Sequence, residues 1–533
     1  MPMYAQGLPS SAQPGLSALH FVCLALLGLA LLAAFHVGFQ ASDDINYVVG
    51  ALGWLDGFPY VGNSHWTLRH TITVPTAAFI ALFGLNGFSV SLSNLLYFVA
   101  FVAANAWFVA HFLGRRSAYF VTLLVLTTPG FLVVSTYLNP DIPELFYVTS
   151  AFWCLMLALQ NDTRRWLWVA AGAIAGLAFV NRQTAAALVI FGLLLWLLSP
   201  IVPRSRYWPM VIAFAGVVGA EWLYLTLMTG NPAYRLQVDF NHDPVDRFAE
   251  AARVVAQGGW IDKEGNISVN VFIDPVLNLF VSQKYTLLFW LALPAGLAAW
   301  RTRCPSTADM QAGAKTGKRP LSVGAVLSLV AGLGLVSFIF VGANPKLYLV
   351  PRYFVVVAWA AALLVGWWLA SLWDAGQRWV SGAGMAAMLC ANAAALSVEN
   401  VHPRMVEQAL VAWVRGHPGE AIYTDVETRA RAEFYFRFAS VSMDQVIAAA
   451  PPSGARFFYS EKRVAQCAAT KRCRAQASDF RPNPRWKAEQ TIEGPRRPGA
   501  TIAAALGAGR VLPPDIGTRV LAPVDVITIY KIQ

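Results

Sequence analysis

Apolar runs of about 17 to 25 residues alternate with short polar breaks through the first 400 positions of the chain. Each is long enough to cross the ~30 Å hydrocarbon layer of a membrane as a helix. Eleven spans are predicted, near 16–38, 87–113, 117–137, 142–160, 166–181, 184–200, 207–228, 285–301, 321–342, 351–373 and 379–399. The first has no Lys or Arg before it and no small-residue cleavage pattern after Phe39, which predicts a retained helix rather than a removed signal.

The polar breaks are unequal. Residues 39–86 are too long for a turn and too interrupted to cross, with helix-like pieces at 44–55 and 71–84 around "DGFPYVGN". This loop is expected along the membrane surface, where Trp54, Tyr60 and Trp66 suit an interfacial depth. A second long excursion covers 229–284, and two short ones read "NPDIP" (139–143) and "NPKLYLVPRY" (344–353). Gly172 and Gly176 in "GAIAG" read as helix packing. After Glu399 the pattern changes to strand-like runs, "AIYTDV", "ARFFYS" and "VDVITIY", between helical and Pro-rich pieces. The expected fold is an α-helical polytopic membrane module, 1–399, followed by a small α/β domain, 400–533.

Composition agrees. The chain is 57% hydrophobic and 13% charged, about half the charge of a soluble domain. Lys and Arg distribute unevenly over alternate short breaks: twelve on one side (Arg115, Arg116, Arg164, Arg165, Arg204, Arg206, Arg301, Arg303, Lys315, Lys318, Arg319, Arg378) and four on the other (Arg69, Arg182, Lys346, Arg352). The positive-inside bias then puts the N-terminus in the cytoplasm and 39–86 and the C-terminal domain outside. Residues 400–533 hold 19 Lys plus Arg against 12 Asp plus Glu, a basic balance suited to anionic lipid or glycan. No nucleic-acid-binding motif accompanies it. Of six cysteines, Cys467 and Cys473 in "CAATKRC" fall in the outer domain and are the candidate disulfide pair.

The four cations on the sparse side share their membrane face with Asp43, Asp44, Asp141 and Glu144. Asp43 and Asp44 open a helix, so a cap with a solvated neighbour is one reading; a base towards a hydroxyl is the other. Asp141, between two prolines at the head of a span, carries the same two readings. Arg69, His70, Lys346 and Arg352 suit a departing phosphate, or lipid headgroups to which such side chains snorkel. Glu221, inside a span, is an intramembrane acid with either a functional or a structural role.

Four segments in this order carry a resemblance: "SDDINY", "HWTLRH", "NPDIPEL" and "PKLYLVPRY". Over residues 16–373 the layout resembles the GT-C class of polyprenyl-phosphate-dependent glycosyltransferases. The likeness is to the family 39 relatives that include aminoarabinose transferase and protein O-mannosyltransferases. Those enzymes place an acidic pair after the first helix, a W..K-P segment later in the same loop, D-x-P at a span start and K-x-x-Y-x-x-P before a late span. Two departures stand out: Asp44 replaces the usual Glu, and Arg69 followed by His70 replaces Lys-Pro.

The resemblance implies inverting transfer of one sugar from a polyprenyl-phosphate donor to an extracytoplasmic acceptor. That acceptor is a lipopolysaccharide or other lipid, a wall glycan or a protein, and the setting is a bacterial inner membrane. It implies Asp43 as catalytic base or its closest helper, and Asp44 and Asp141 as orienting or metal-binding carboxylates. Arg69, His70, Lys346 and Arg352 then hold the donor phosphate, with Glu144 and Arg182 as secondary candidates. A divalent cation between the acids is left open. The rival class is a polytopic transporter or lipid flippase, which repeated halves and several midplane polar groups would favour.

Overall fold

The computed structural model describes residues 18–161, 163–198, 201–241, 256, 270, 272–302, 321–344, 347, 349–469, 480–507, 510, 517 and 520–533. Helices follow the apolar runs: α1 (Ala18–Ala34), α2 (Asp43–Asp56), α3 (His70–Phe83), α4 (Gly87–Leu113), α5 (Arg115–Thr127), α6 (Pro129–Leu132), α7 (Asp141–Gln160) and α8 (Arg165–Asn181). They continue with α9 (Ala186–Leu198), α10 (Trp208–Thr229), α11 (Tyr234–Phe240), α12 (Asp274–Val281), α13 (Leu288–Arg301), α14 (Val323–Ala343), α15 (Val355–Asp374) and α16 (Arg378–Ser397).

Among the described residues, six segments are long and apolar enough to cross a membrane: Gly87–Leu113, Asp141–Gln160, Arg204–Thr229, Val323–Ala343, Pro351–Asp374 and Arg378–Ser397. Four further predicted spans are shorter apolar helices, Ala18–Ala34, Arg165–Asn181, Gln183–Leu198 and Leu288–Arg301. The chain is a multi-pass membrane protein. The remaining predicted span, 117–137, is broken in the structure: the helices Arg115–Thr127 and Pro129–Thr136 are together apolar enough to cross, and the chain bends by 67° between them. Proline cannot donate to the preceding turn and pushes the residue before it towards extended backbone. Thr128 is accordingly at φ −71°, ψ 122°.

α15 is the hub. Most of its apolar stretch is buried, and it packs on α5, α13, α14 and α16. α10 is the opposite case, largely exposed and packed on α8. The predicted loop pieces at 44–55 and 71–84 are α2 and α3, packed on each other.

Beyond α16 lie α17 (Met405–Gly416), β1 (Ile422–Thr424), α18 (Val426–Ala439), β2 (Val446–Ala448), β3 (Arg456–Ser460), α19 (Glu461–Ala469), β4 (Trp486–Glu493), α20 (Ala500–Ala505) and β5 (Val526–Ile532). The strands form one mixed sheet in the order β2-β1-β3-β5-β4, parallel through β2-β1-β3 and antiparallel through β3-β5-β4. The three runs read from sequence are β1, β3 and β5. β2 has only three residues and β4 is mostly exposed, so neither shows the apolar alternation that marks a strand. Cys467 is buried and disulfide-bonded, while Cys473 lies outside the described residues.

Gly172 and Gly176 do the packing expected of them. A Cβ at Gly172 would lie 2.0 Å from the Met210 carbonyl oxygen of α10, and one at Gly176 2.7 Å from Val217 Cβ. Only a missing side chain lets α8 and α10 approach so closely. Gly172→Val is expected to cost about 1–3 kcal/mol. Gly216→Ala, whose added Cβ meets nothing within 4 Å, is expected to melt like the parent in detergent, and the pair of thermal melts checks both.

Candidate active site

The adjacent acids at the head of α2 part company in the structure. The Asp44 carboxylate turns back on its own loop, accepting the Ser42 amide at 2.7 Å and the Gln40 amide. It is buried, and burial pushes its pKa up to about 6, opposed by those two amides and by Arg404. Asp44 thus closes the loop that precedes α2 and does not cap the helix, whose N-cap is Ser42. Asp44, expected as an orienting or metal-binding carboxylate beside Asp43, is here engaged with its own loop. Successive helical residues diverge by about 100°, and Asp43 faces elsewhere. Its side chain is 42% exposed, and Oδ2 accepts from Arg352 Nη2 at 3.3 Å.

At the head of α7 the capping is done by Asn139, whose Oδ1 accepts the amides of Asp141 at 2.9 Å and Ile142 at 3.4 Å. Asp141 is thereby released from that duty, and its carboxylate, fully buried, pairs with Arg182 Nη1. Among the described residues the other oxygen, Oδ2, has no hydrogen-bond partner and faces Arg352 Nε at 4.0 Å, a nitrogen that has none there either. Arg182 Nη1 further donates to Glu144 Oε2 at 3.2 Å, and Thr184 Oγ1 donates to Glu144 Oε1. The Arg182 guanidinium lies 4.2 Å from the Tyr353 ring centroid. Arg352 thus bridges Asp43 and Asp141, and residues 43, 141, 144, 182 and 352 form one connected group.

Arg69 sits at the edge of this group, buried, its Nη1 donating to the hydroxyl of Tyr47. Tyr47 lies one helical turn after Asp43 and is itself fully buried. Burial raises its phenol to about 12, with the charge of Arg69 acting against that and Asp43, Arg182 and Asp141 close enough to contribute. His70 departs from the expected phosphate-holding set. It faces Glu221 at 3.7 Å and the rings of Trp54 and Tyr224, with centroids at 5.5 and 5.8 Å. That second cluster is centred on Arg235, which pairs with Glu221 at 3.0 Å and Asp239 at 2.8 Å and donates to the carbonyls of Leu68 and Val180. Lys346 lies outside the described residues.

Tyr47, Tyr353, Thr184 and Arg235 escaped sequence reasoning. Tyr47 had a usable signal in its i, i+4 spacing from Asp43, and Tyr353 in adjoining Arg352; Thr184 and Arg235 had none. Among the described residues no three His, Cys, Asp or Glu side chains converge as a metal site. The carboxylates here are bridged by guanidinium groups, which is not the donor set a divalent cation takes.

Residues 74–224, roughly a quarter of the chain, match the family described as dolichyl-phosphate-mannose-protein mannosyltransferase. The matched stretch contains Asp141, Glu144, Arg182 and Glu221. The fold is similar to that of ArnT from Cupriavidus metallidurans in the apo state. That similarity has a TM-score of 0.51 at 14% identity, over 84% of this chain and 94% of that one. ArnT from the same organism bound to undecaprenyl phosphate matches with a TM-score of 0.52 at 14% identity, over 85% and 95%. No curated protein sequence matches. The resemblance to GT-C glycosyltransferases is borne out in the fold and, for 74–224, in the family match.

The raised pKa of Asp44 has a stability consequence. The folded chain keeps this proton to about pH 6, whereas the ordinary value is 3.8. The stabilisation it brings is therefore complete below the ordinary value and is lost as pH rises through about 6. Thermal melts across that window are expected to show falling stability with rising pH in the parent, and Asp44→Asn is expected to flatten that part of the profile.

Proposed function

We propose that this glycosyltransferase of the GT-C type moves one sugar from a polyprenyl-phosphate donor to a hydroxyl of an acceptor outside the cytoplasm, with inversion at the anomeric carbon. The observation that carries the reading is the bridge from half-exposed Asp43 through Arg352 to buried Asp141. It places an accessible carboxylate beside a guanidinium that is itself partly open, which is what a proton acceptor and an anionic leaving group require. The ArnT structure bound to undecaprenyl phosphate supports the donor class, as does the mannosyltransferase family match.

In this reading the acceptor hydroxyl gives its proton to Asp43 as its oxygen bonds to the anomeric carbon. The bond from that carbon to the phosphate oxygen breaks, and the phosphate leaves carrying the electron pair onto Arg352, with Lys346 as its sequence-predicted companion. Preorganised cations at a low-dielectric boundary stabilise such a group more than water does. Arg352 serves twice: it orients Asp43 through their ion pair, and it stands ready to receive the departing phosphate. Asp141, paired to Arg182, stands behind Arg352. The basic outer domain suits an acceptor that is an anionic lipid or glycan, and the inner membrane of a bacterium is the setting this implies.

Asp43→Asn is expected to lower transfer by about 10²- to 10⁴-fold, the usual worth of a general base, at unchanged protein level. Arg352→Gln is expected to weaken both turnover and donor binding. Release of free polyprenyl phosphate from labelled donor in membranes measures both, and full turnover in Asp43→Asn removes that carboxylate from the reaction.

A further inference from the structure

The loop that delivers Asp43 is held by the C-terminal domain. Phe39 is buried with its ring among Phe434, Tyr435 and Phe438 of α18, at centroid separations of 5.6, 5.6 and 5.1 Å. Its carbonyl accepts the Tyr435 hydroxyl. Two residues on, the carbonyl of Ala41 accepts Arg431 Nη1 at 3.2 Å. Ala41 has φ 49°, a left-handed conformation that a residue with a Cβ keeps only when its surroundings impose it. Arg431 is itself steadied by Glu427, one turn earlier on α18.

The other side of the loop is tied as well. The amides of Val37 and Gly38 donate to the Thr136 hydroxyl and carbonyl, each at 3.2 Å. Asp44 closes the segment from within through Gln40 and Ser42, facing Arg404 of the C-terminal domain. Phe434 belongs to the same apolar cluster as Tyr47, Val48 and Ile72, so α18 continues the core that α2 and α3 form. None of these contacts involves Asp43 directly. Together they fix the backbone from which its carboxylate projects.

We infer that the C-terminal domain sets the position of the reacting carboxylate, with Arg431 and Tyr435 as positioning residues that hold backbone 39–44 so that Asp43 meets the acceptor hydroxyl. This rests on the reading of Asp43 as the base. The domain is thereby a working part of the transferase as well as a basic outer surface. A shift of the carboxylate by about 1 Å is enough to cost on the order of 100-fold in rate.

The test uses the full chain in lipid nanodiscs, comparing the parent with Tyr435→Phe, Arg431→Lys and the double variant Arg431→Gln/Tyr435→Phe. Hydrogen exchange at the amides of 39–44 is expected to quicken in the double variant while exchange within α18 stays as in the parent. Release of polyprenyl phosphate from labelled donor is expected to fall by up to about 100-fold in kcat with donor KM unchanged. Arg431→Lys, which keeps a cationic donor for the Ala41 carbonyl, is expected to retain most activity, and Tyr435→Phe alone, a loss of one hydroxyl, to fall between. Unchanged exchange at 39–44, or quickened exchange with full kcat, overturns the inference. Asp43→Asn run in parallel separates the two readings. Retained turnover there overturns the base assignment and the catalytic half of the inference with it. Lost turnover there, with full turnover in the double variant, overturns the inference alone.

Discussion

A carboxylate with no access to water at the head of a membrane helix must be matched by positive charge, because an uncompensated buried ion costs several kcal/mol. Asp141 is such a group, fully buried beside Arg182 and Arg352. The match draws together the start of α7, the break between α8 and α9 and the turn before α15, segments far apart in sequence. In lipid there is little hydrophobic drive for one apolar helix to seek another. Close packing at small residues brings the spans together, and the buried ion pairs add a requirement of register. Arg352 reaches beyond Asp141 to Asp43, which adds the head of α2 to the same set of charges.

The same constraint recurs twice more. Arg235 ties Glu221 of α10 to Asp239 and to the carbonyls of Leu68 and Val180, so that the loop before α3, the end of α8 and α11 are joined by one guanidinium. In the C-terminal domain, Glu407 is buried against Arg463 and Arg404. Burial lowers Arg404 to about 10 despite Glu407, and this same arginine faces Asp44 across the junction. At each of the three places an arginine serves as the joint between elements, where its fork of donors reaches several acceptors at once.

The spans were legible because membrane crossing imposes a length and an apolar composition that few other structures share. The bend at Thr128 was less so: Pro129 was visible, but its effect was masked by an apolar run that continued on both sides. At the site, shared membrane face and short breaks between spans were enough to collect Asp43, Asp141, Arg182 and Arg352. What sequence could not divide was the adjacent pair, since a one-residue step decides which acid meets the loop and which meets solvent. Nor could it foresee that Asn139 takes the helix cap and leaves Asp141 for Arg182, or that Glu221 claims His70. Those outcomes depend on side chains brought in from the neighbouring helices, with no local signal to announce them.

The division between Asp43 and Asp44 follows from how each is surrounded. Two acids side by side would each raise the cost of ionising the other, but the chain sends them into unlike environments. Asp44 has two backbone amides and a distant Arg404, enough to close a loop but not to cancel the cost of burial. Asp43 is accessible on one side and has a partly exposed guanidinium on the other. A carboxylate that closes a loop is best buried and committed, whereas one that exchanges a proton with an incoming molecule has to be reachable. The buried member of the pair holds the backbone that carries the accessible one, and under the proposed function the two acids would divide as support and reagent.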